Sequence, residues 1–300
     1  MFEELHGIYA ASLTPLNNDY SVAPGDLIPL LDFLSSRGCH GALLFGTTGE
    51  GPSLSPAERV RLTHQAVDYK QNNPTFRILA GTGTPSLKET IDLTETAFEL
   101  GVDGVVVLPP YYYRNASEDG LFHWFDQLIL YAVPEGRALF GYHIPAISGV
   151  ELSLTLLSRL HEQYPRRFAG IKDSSGDPAH AVNLGEQFGR ELTIMTGNDR
   201  LLSHSLENSG AGSITALANL FSDDARRVWD SFQNGNSDPE AQKRLDNARS
   251  VLDRYPPAPP TLKALYARWY RFSRWTVIPP LQPLTEDLEY SVAEEFEGLI

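Results

Sequence analysis

The sequence predicts an α/β protein folded as a (β/α)8 barrel (a TIM barrel) with a C-terminal helical extension. Three observations carry this. Eight short apolar runs, most of four to eight residues, lack the alternation of a half-exposed strand and so suit strands buried on both faces. Amphipathic segments with readable start signals separate them, and strand–helix alternation is the mark of a parallel sheet. Beyond residue 222 the strand signal stops and charged helical patterns take over. A doubly wound open sheet is the competing architecture; it usually has fewer strands.

The elements follow in order. Strands are expected over 7–14, 41–45, 76–80, 104–108, 137–142, 168–171, 192–195 and 212–217. After the second, Ser55-Pro56-Ala57-Glu58 offers a cap, a proline at the first helical position and an acid in the first turn. Thr84-Pro85-Ser86 starts a helix over 87–100, which Gly101 closes. Ser117-Glu118-Asp119 precedes a helix over 120–131, and Asp177-Pro178 precedes one over 179–188 that ends at Gly189. Helices are expected over 224–232, 239–255, 261–275 and 286–299, with a break at the proline-rich 256–260. The division expected is a catalytic barrel over 1–222 and a helical region over 223–300, packed as an appendage rather than an independent domain. No internal repeat stands out.

Composition narrows the function. The chain has 300 residues, 42% of them hydrophobic, enough for a sizeable core. Its formal charge is −14, from 38 acidic and 24 basic side chains, which argues against nucleic acid or an anionic membrane as main partner. The single cysteine, Cys39, excludes an intrachain disulfide framework. The N-terminal residues lack the basic and apolar regions of a signal peptide, and no run approaches ~20 apolar residues, so a cytoplasmic protein is expected.

Chemistry in such barrels collects where strands end. The strand ends read Gly46-Thr47-Thr48-Gly49-Glu50-Gly51, Gly81-Thr82-Gly83, Pro109-Pro110-Tyr111-Tyr112-Tyr113, Tyr142-His143-Ile144-Pro145, Lys172-Asp173-Ser174-Ser175 and Thr196-Gly197-Asn198-Asp199. Only five residues are lysine, and Lys172 alone falls at a strand end; Lys70, Lys88, Lys243 and Lys263 lie on helical stretches expected to solvate them. A lysine in a barrel mouth is partly desolvated, which favours the neutral amine, a nucleophile toward ketones that forms Schiff bases. The bland alternative is a lysine paired with Asp173. The 46–51 loop is either a tight turn or, through its exposed N–H groups and hydroxyls, a carboxylate cradle. It lacks the Gly-Lys-Ser/Thr ending of a nucleotide phosphate loop, and Gly81-Thr82-Gly83 lacks the third glycine of a dinucleotide fingerprint. Tyr142 is a core tyrosine or, beside an amine nucleophile, a proton-transfer group. His143 bonds substrate or only backbone. No histidine forms a spaced metal-ligand pair with a carboxylate, so neither a metal nor a cofactor is expected.

These residues resemble the pyruvate-dependent Schiff-base (class I) aldolases that include dihydrodipicolinate synthase and N-acetylneuraminate lyase. The resemblance spans essentially the whole chain and rests on Gly46-Thr47-Thr48-Gly49-Glu50, Pro110-Tyr111-Tyr112 with Gly120-Leu121, Tyr142-His143-Ile144-Pro145 and Gly170-Ile171-Lys172-Asp173 in that order. It implies a homo-oligomeric enzyme, dimer or tetramer, acting on pyruvate and an aldehyde or on a 2-oxo acid. Lys172 matches the imine-forming lysine and Tyr142 the proton-relaying tyrosine. Thr47 and Tyr112 match its relay partners, Tyr112 reaching into a neighbouring subunit. Thr48, with the loop from Gly46, matches the carboxylate clasp. Ile214 matches an apolar position against the pyruvyl group and Gly197 a substrate-lining backbone position; His143, Ile147 and Ser174 complete the expected substrate contacts.

Departures bear on the substrate. In the synthases an arginine five residues after the tyrosine grips the aldehyde's carboxylate; here that position is Ile147. The 142–150 segment is closer to the lyase version, yet Arg200 and Ala216 align where the lyase carries an acid and a serine. Residues 46–55 also resemble the 2-keto-3-deoxy-sugar-acid aldolases. The expectation is an aldolase or lyase on a 2-keto-3-deoxy sugar acid or a neuraminate-like substrate. A tetrahydrodipicolinate-forming synthase, a dehydratase of the same family and a non-catalytic 2-oxo-acid sensor are the alternatives.

Overall fold

A computed structural model describes residues 2–189 and 191–299. Among these, eight strands form one closed parallel barrel in chain order: β1 (Gly7–Ala11), β2 (Gly41–Leu44), β3 (Arg77–Gly81), β4 (Gly104–Val107), β5 (Ala138–His143), β6 (Phe168–Asp173), β7 (Thr193–Thr196) and β8 (Gly212–Thr215), the last pairing with β1. The helices are α1 (Leu27–Ser36), α2 (Pro56–Asn72), α3 (Leu87–Leu100), α4 (Glu118–Ala132), α5 (Pro145–Ser148), α6 (Leu154–Gln163), α7 (Pro178–Phe188), α8 (Leu202–Glu207), α9 (Ala218–Gln233), α10 (Pro239–Leu252), α11 (Ala258–Tyr270) and α12 (Glu286–Glu297). No described helix is long and apolar enough to cross a membrane.

Strand alternation divides the core. Inside the barrel lie Tyr9, Leu43, Leu79, Val106, Phe140 and Met195; outside, Ile8, Ala42, Ile78, Val105, Leu139 and Ile194 pack under the helices. The capping signals work as read. Ser55 accepts the Glu58 N–H while the Glu58 carboxylate accepts the Ser55 N–H at 2.9 Å, a reciprocal capping box that starts α2. Gly101 ends α3 in the left-handed conformation. Asn219 closes the seam between β8 and β1: fully buried, it donates to the Ala11 and Ala216 carbonyls, both at 2.8 Å.

Some expectations shift. β6 extends two residues past the expected 171, to Asp173, which keeps Lys172 at the strand's end as read. α9 begins at Ala218, well before the expected 224, because its first turn is wholly buried and carries no charge to mark it. It kinks at Phe221 and runs through position 222, so the expected division falls inside a helix. Leu262, Leu265, Tyr266, Trp275, Val292 and Phe296 share one continuous core with the barrel's outer layer.

Candidate active site

Lys172 and Tyr142 are brought together by strand register. They are direct neighbours across the β5–β6 pair, and so are His143 and Asp173 one step on. Alternation then sends the first pair inward and the second outward. The inward aim of Lys172 depends on an irregularity: the register slips at Leu139/Phe140, which oppose Phe168 and Gly170. Ala169 points into the barrel and Ile171 out of it. Ala169 and Lys172 are of opposite parity, so without the extra residue the lysine would face the helices. A side chain at Gly170 would collide with the Thr193 carbonyl.

Lys172 is 3% exposed, and its Nζ lies 4.0 Å from the centre of the Tyr142 ring. The Tyr142 hydroxyl stands 3.4 Å from Thr47 Oγ1. Burial alone would raise the Tyr142 pKa. The positive charge of Lys172 and hydrogen bonding from Thr47, Lys172 and Ser174 outweigh it, leaving the phenol below its ordinary value. Such a hydroxyl gives up its proton more readily than a free tyrosine.

The 46–51 loop folds back on itself, Glu50 N–H donating to the Thr47 carbonyl at 3.2 Å and Gly51 N–H to that of Gly46 at 3.1 Å. Thr14 Oγ1 donates to the Gly49 carbonyl at 2.6 Å. Among the described residues the Thr47 and Thr48 amides find no protein acceptor, which leaves two adjacent donors at the cavity edge. Glu50 holds the loop from behind in a left-handed conformation. Its carboxylate accepts from Lys263 Nζ at 2.5 Å and from the Ile278 N–H at 2.7 Å. Lys263, expected on a solvated helix face, is 1% exposed. It is the counter-ion that lets a carboxylate sit behind the loop.

These groups border a cavity of about 440 Å³. Thr47, Thr48, Tyr142 and Lys172 line one end, with Ile214 as a fully buried apolar floor. Gly197 and Ser174 lie side by side, so close that a side chain at 197 would overlap Ser174 Oγ. Ile147, 56% exposed, stands at the rim. Gly46 supports the loop and borders the adjoining small pocket.

Besides Gly46, two expected residues do not reach this cavity. Tyr112 is 76% exposed on the β4–α4 loop, its ring 5.3 Å from that of Tyr113. His143 points outward and accepts the Leu152 N–H on Nδ1 at 3.1 Å. It forms a cluster with Asp173 and His180, their ligating atoms within 4.8 Å of one another. Sequence spacing missed this cluster because its members come from β5, β6 and α7. With Nδ1 engaged as acceptor, the neutral imidazole carries its proton on Nε2, which makes that atom a donor rather than a metal ligand. Burial lowers the His143 pKa against the opposing pull of Asp173, and so favours that neutral form.

The cavity's far wall was not foreseen. It is built by Arg249, Leu252 and Asp253 and by Pro256–Pro259, with Ser175 and Asn198 also in the lining. On the sequence, Arg249 and Asp253 read as an ordinary solvated helix face; no local signal separates them from it.

A closed parallel barrel with a buried lysine–tyrosine pair at the C-terminal ends of its strands is the frame of a barrel enzyme. The chain belongs to the dihydrodipicolinate synthetase family, whose model matches residues 4–297, and it is a lyase of that family. It is 36% identical over 298 residues to an uncharacterized DapA-like lyase of Chloroflexus aurantiacus, covering 99% of this chain and 98% of that one. It is 29% identical over 295 residues to the 4-hydroxy-tetrahydrodipicolinate synthase of Bacillus subtilis, covering 97% and 98%. Among solved structures, YagE, a prophage protein of E. coli K12 in complex with pyruvate, superposes with a TM-score of 0.92 at 25% identity over 98% of each chain. Dihydrodipicolinate synthase from Agrobacterium tumefaciens gives 0.88 at 29% identity, covering 98% and 99%.

Proposed function

We propose that the protein is a Schiff-base aldolase that makes or cleaves a carbon–carbon bond between pyruvate and a hydroxylated aldehyde, with a 2-keto-3-deoxy sugar acid or a neuraminate-like compound as the joined form. The observation that carries this reading is the buried Lys172 amine packed on Tyr142, whose hydroxyl faces Thr47 across the same cavity.

The Lys172 amine, in its neutral form, adds to the C2 ketone of pyruvate; the carbinolamine loses water and leaves a protonated imine. That cation withdraws electrons from C3, which loses a proton to give an enamine. The enamine carbon attacks the aldehyde, whose oxygen takes up a proton, and hydrolysis of the imine returns the amine. Cleavage runs the same steps in reverse. Tyr142 and Thr47 relay the protons, and their chain is completed by Tyr112 of a neighbouring subunit in a dimer or tetramer. Thr48 and the Thr47 and Thr48 amides clasp the pyruvate carboxylate, Ile214 bears on its methyl side, and Gly197 and Ser174 line the path to the aldehyde. His143 supports β5 rather than touching substrate.

Ile147 separates this reading from a tetrahydrodipicolinate-forming synthase. An aliphatic side chain cannot pair with a carboxylate on the aldehyde, and losing a charge-assisted bond of that kind costs a few kcal/mol.

Pyruvate with borohydride tests the proposal. Intact-mass measurement is expected to show a reduced adduct on the wild-type chain and none on Lys172→Ala. A wild-type chain that stays unmodified, or an adduct that persists in the variant, overturns it. Pyruvate release from 2-keto-3-deoxy acids distinguishes an aldolase from a dehydratase, which expels water and keeps the carbon chain whole.

A further inference from the structure

Arg249 and Asp253, which line the cavity's far wall, belong to a lattice of four charges completed by Asp199 and Arg200. Arg249 Nε donates to Asp253 Oδ1 at 2.7 Å, and its Nη1 donates to Asp199 Oδ2 at 3.4 Å. Arg200 Nη1 donates to Asp253 Oδ2 at 2.8 Å, and its Nη2 to Ser250 Oγ at 2.9 Å. Asp253 is therefore gripped by two guanidinium groups, one oxygen each. Asp199 is 2% exposed and pairs with Arg249 from behind. Burial raises its carboxyl pKa, against which Arg249 and Thr215 act.

Two features follow from this lattice. It is rigid, because each long side chain is bonded at its tip, so little rotamer freedom remains to be lost on binding. It is also balanced: two guanidinium groups face two carboxylates, so the wall offers no surplus positive charge to an anion. Ile147 adds none at the rim. A second carboxylate at this end of the substrate would find no counter-ion. A hydroxyl group, which donates and accepts at once, finds both partners: carboxylate oxygens on Asp253 and guanidinium N–H groups on Arg249. Asn198 and Ser175, which also line the cavity, add an amide and a hydroxyl. The volume, about 440 Å³, leaves room well beyond what pyruvate fills.

We propose that Arg249 and Asp253, on and just beyond the C-terminal helix α10, are specificity-determining residues that bind adjacent, uncharged hydroxyl groups of the aldehyde half. The inference rests on the Schiff-base reading above and deepens it. The wall distinguishes a polyhydroxylated chain from an alkyl chain of equal length and from one ending in a second acid.

The test compares KM for two 2-oxo acids cleaved to pyruvate. One is a 2-keto-3-deoxy-hexonate; the other carries the same C4 hydroxyl on an otherwise alkyl chain. Wild type is expected to prefer the hydroxylated compound. Arg249→Met is expected to raise its KM tenfold or more relative to the alkyl compound, with kcat moving less, because a charged group that loses a hydroxyl partner discriminates by about that factor. Asp253→Asn, which keeps shape and an acceptor, is expected to give a smaller shift in the same direction. Arg249→Lys, which keeps the charge but not the planar fork, is expected to recover part of the loss. Equal losses on both substrates in all three variants would assign the pair a structural role and overturn the inference, as would unchanged KM ratios. Borohydride trapping on the same samples keeps the two readings apart. Trapping that succeeds beside unmoved ratios overturns the assignment of the wall alone; wild-type trapping that fails overturns the Schiff-base reading, and this inference with it.

Discussion

His40 shows how a single side chain far from the cavity sets a pH limit. Its Nδ1 accepts the Ile8 N–H at 2.9 Å, and its ring packs edge-on against Trp229 at 4.6 Å. Burial and nearby Arg226 lower its pKa to about 4, with Asp230 opposing. A histidine held neutral in the folded state adds stability above its ordinary value of 6.5, and that stability is lost as pH falls from there toward 4. The melting temperature is therefore expected to drop between pH 6.5 and 4. His40→Asn, whose side-chain oxygen can take the same N–H, is expected to flatten the drop; an unchanged slope in the variant would refute the assignment. At this scale Lys172 was legible because lysine is scarce and the strand around it is apolar. Lys263 was not, because its partner Glu50 is remote in the sequence and only the fold brings them together. The outward turn of His143 follows from Tyr142 facing in, but that inference needs a strand known to reach position 143.

At the scale of elements, the strand order and several helix starts were written in local patterns. Ser55, Ser86, Ser117 and Asp177 cap their helices where the sequence placed them. Several helices were not singled out, for distinct reasons. α5 and α8 are too short for a periodic signal, and α1 starts without a capping side chain. α6 does carry a readable cap in Ser153. The slipped register of β6 was invisible, since a period of two has no way to announce one extra residue. The tie between α11 and the 46–51 loop is the element-scale contact with the largest expected effect. Lys263→Met leaves Glu50 charged and buried without its counter-ion, which typically costs about 3–5 kcal/mol. Urea denaturation is expected to register that loss. Pyruvate trapping is expected to slow as the Thr47–Thr48 donors loosen. Adding Glu50→Gln is expected to restore much of the stability. A single variant as stable as wild type would show that the pair contributes nothing.

The whole molecule presents its tyrosine pair to solvent. Tyr112 and Tyr113 are 76% and 75% exposed, the two most exposed of the large hydrophobic side chains among the described residues. If Tyr112 completes a neighbour's proton relay, two defective subunits can repair each other. Lys172→Ala and Tyr112→Phe chains are each expected to be nearly inactive alone. Mixed before refolding or coexpressed, they are expected to recover up to about a quarter of wild-type activity, since one site in a mixed pair keeps both groups. No recovery in a mixture shown by mass to contain mixed assemblies would place Tyr112 outside the relay.

The cavity draws its two walls from different parts of the chain: the reacting groups hang from strands and a strand-end loop, while the outer wall hangs from α10 and the prolines after it. Bond-making chemistry and substrate choice can therefore change independently over generations. A laboratory library confined to positions 249, 253 and 257 explores new aldehydes at the expense of the Arg249–Asp199 and Arg200–Asp253 contacts, while the strand-to-strand hydrogen bonds stay in place.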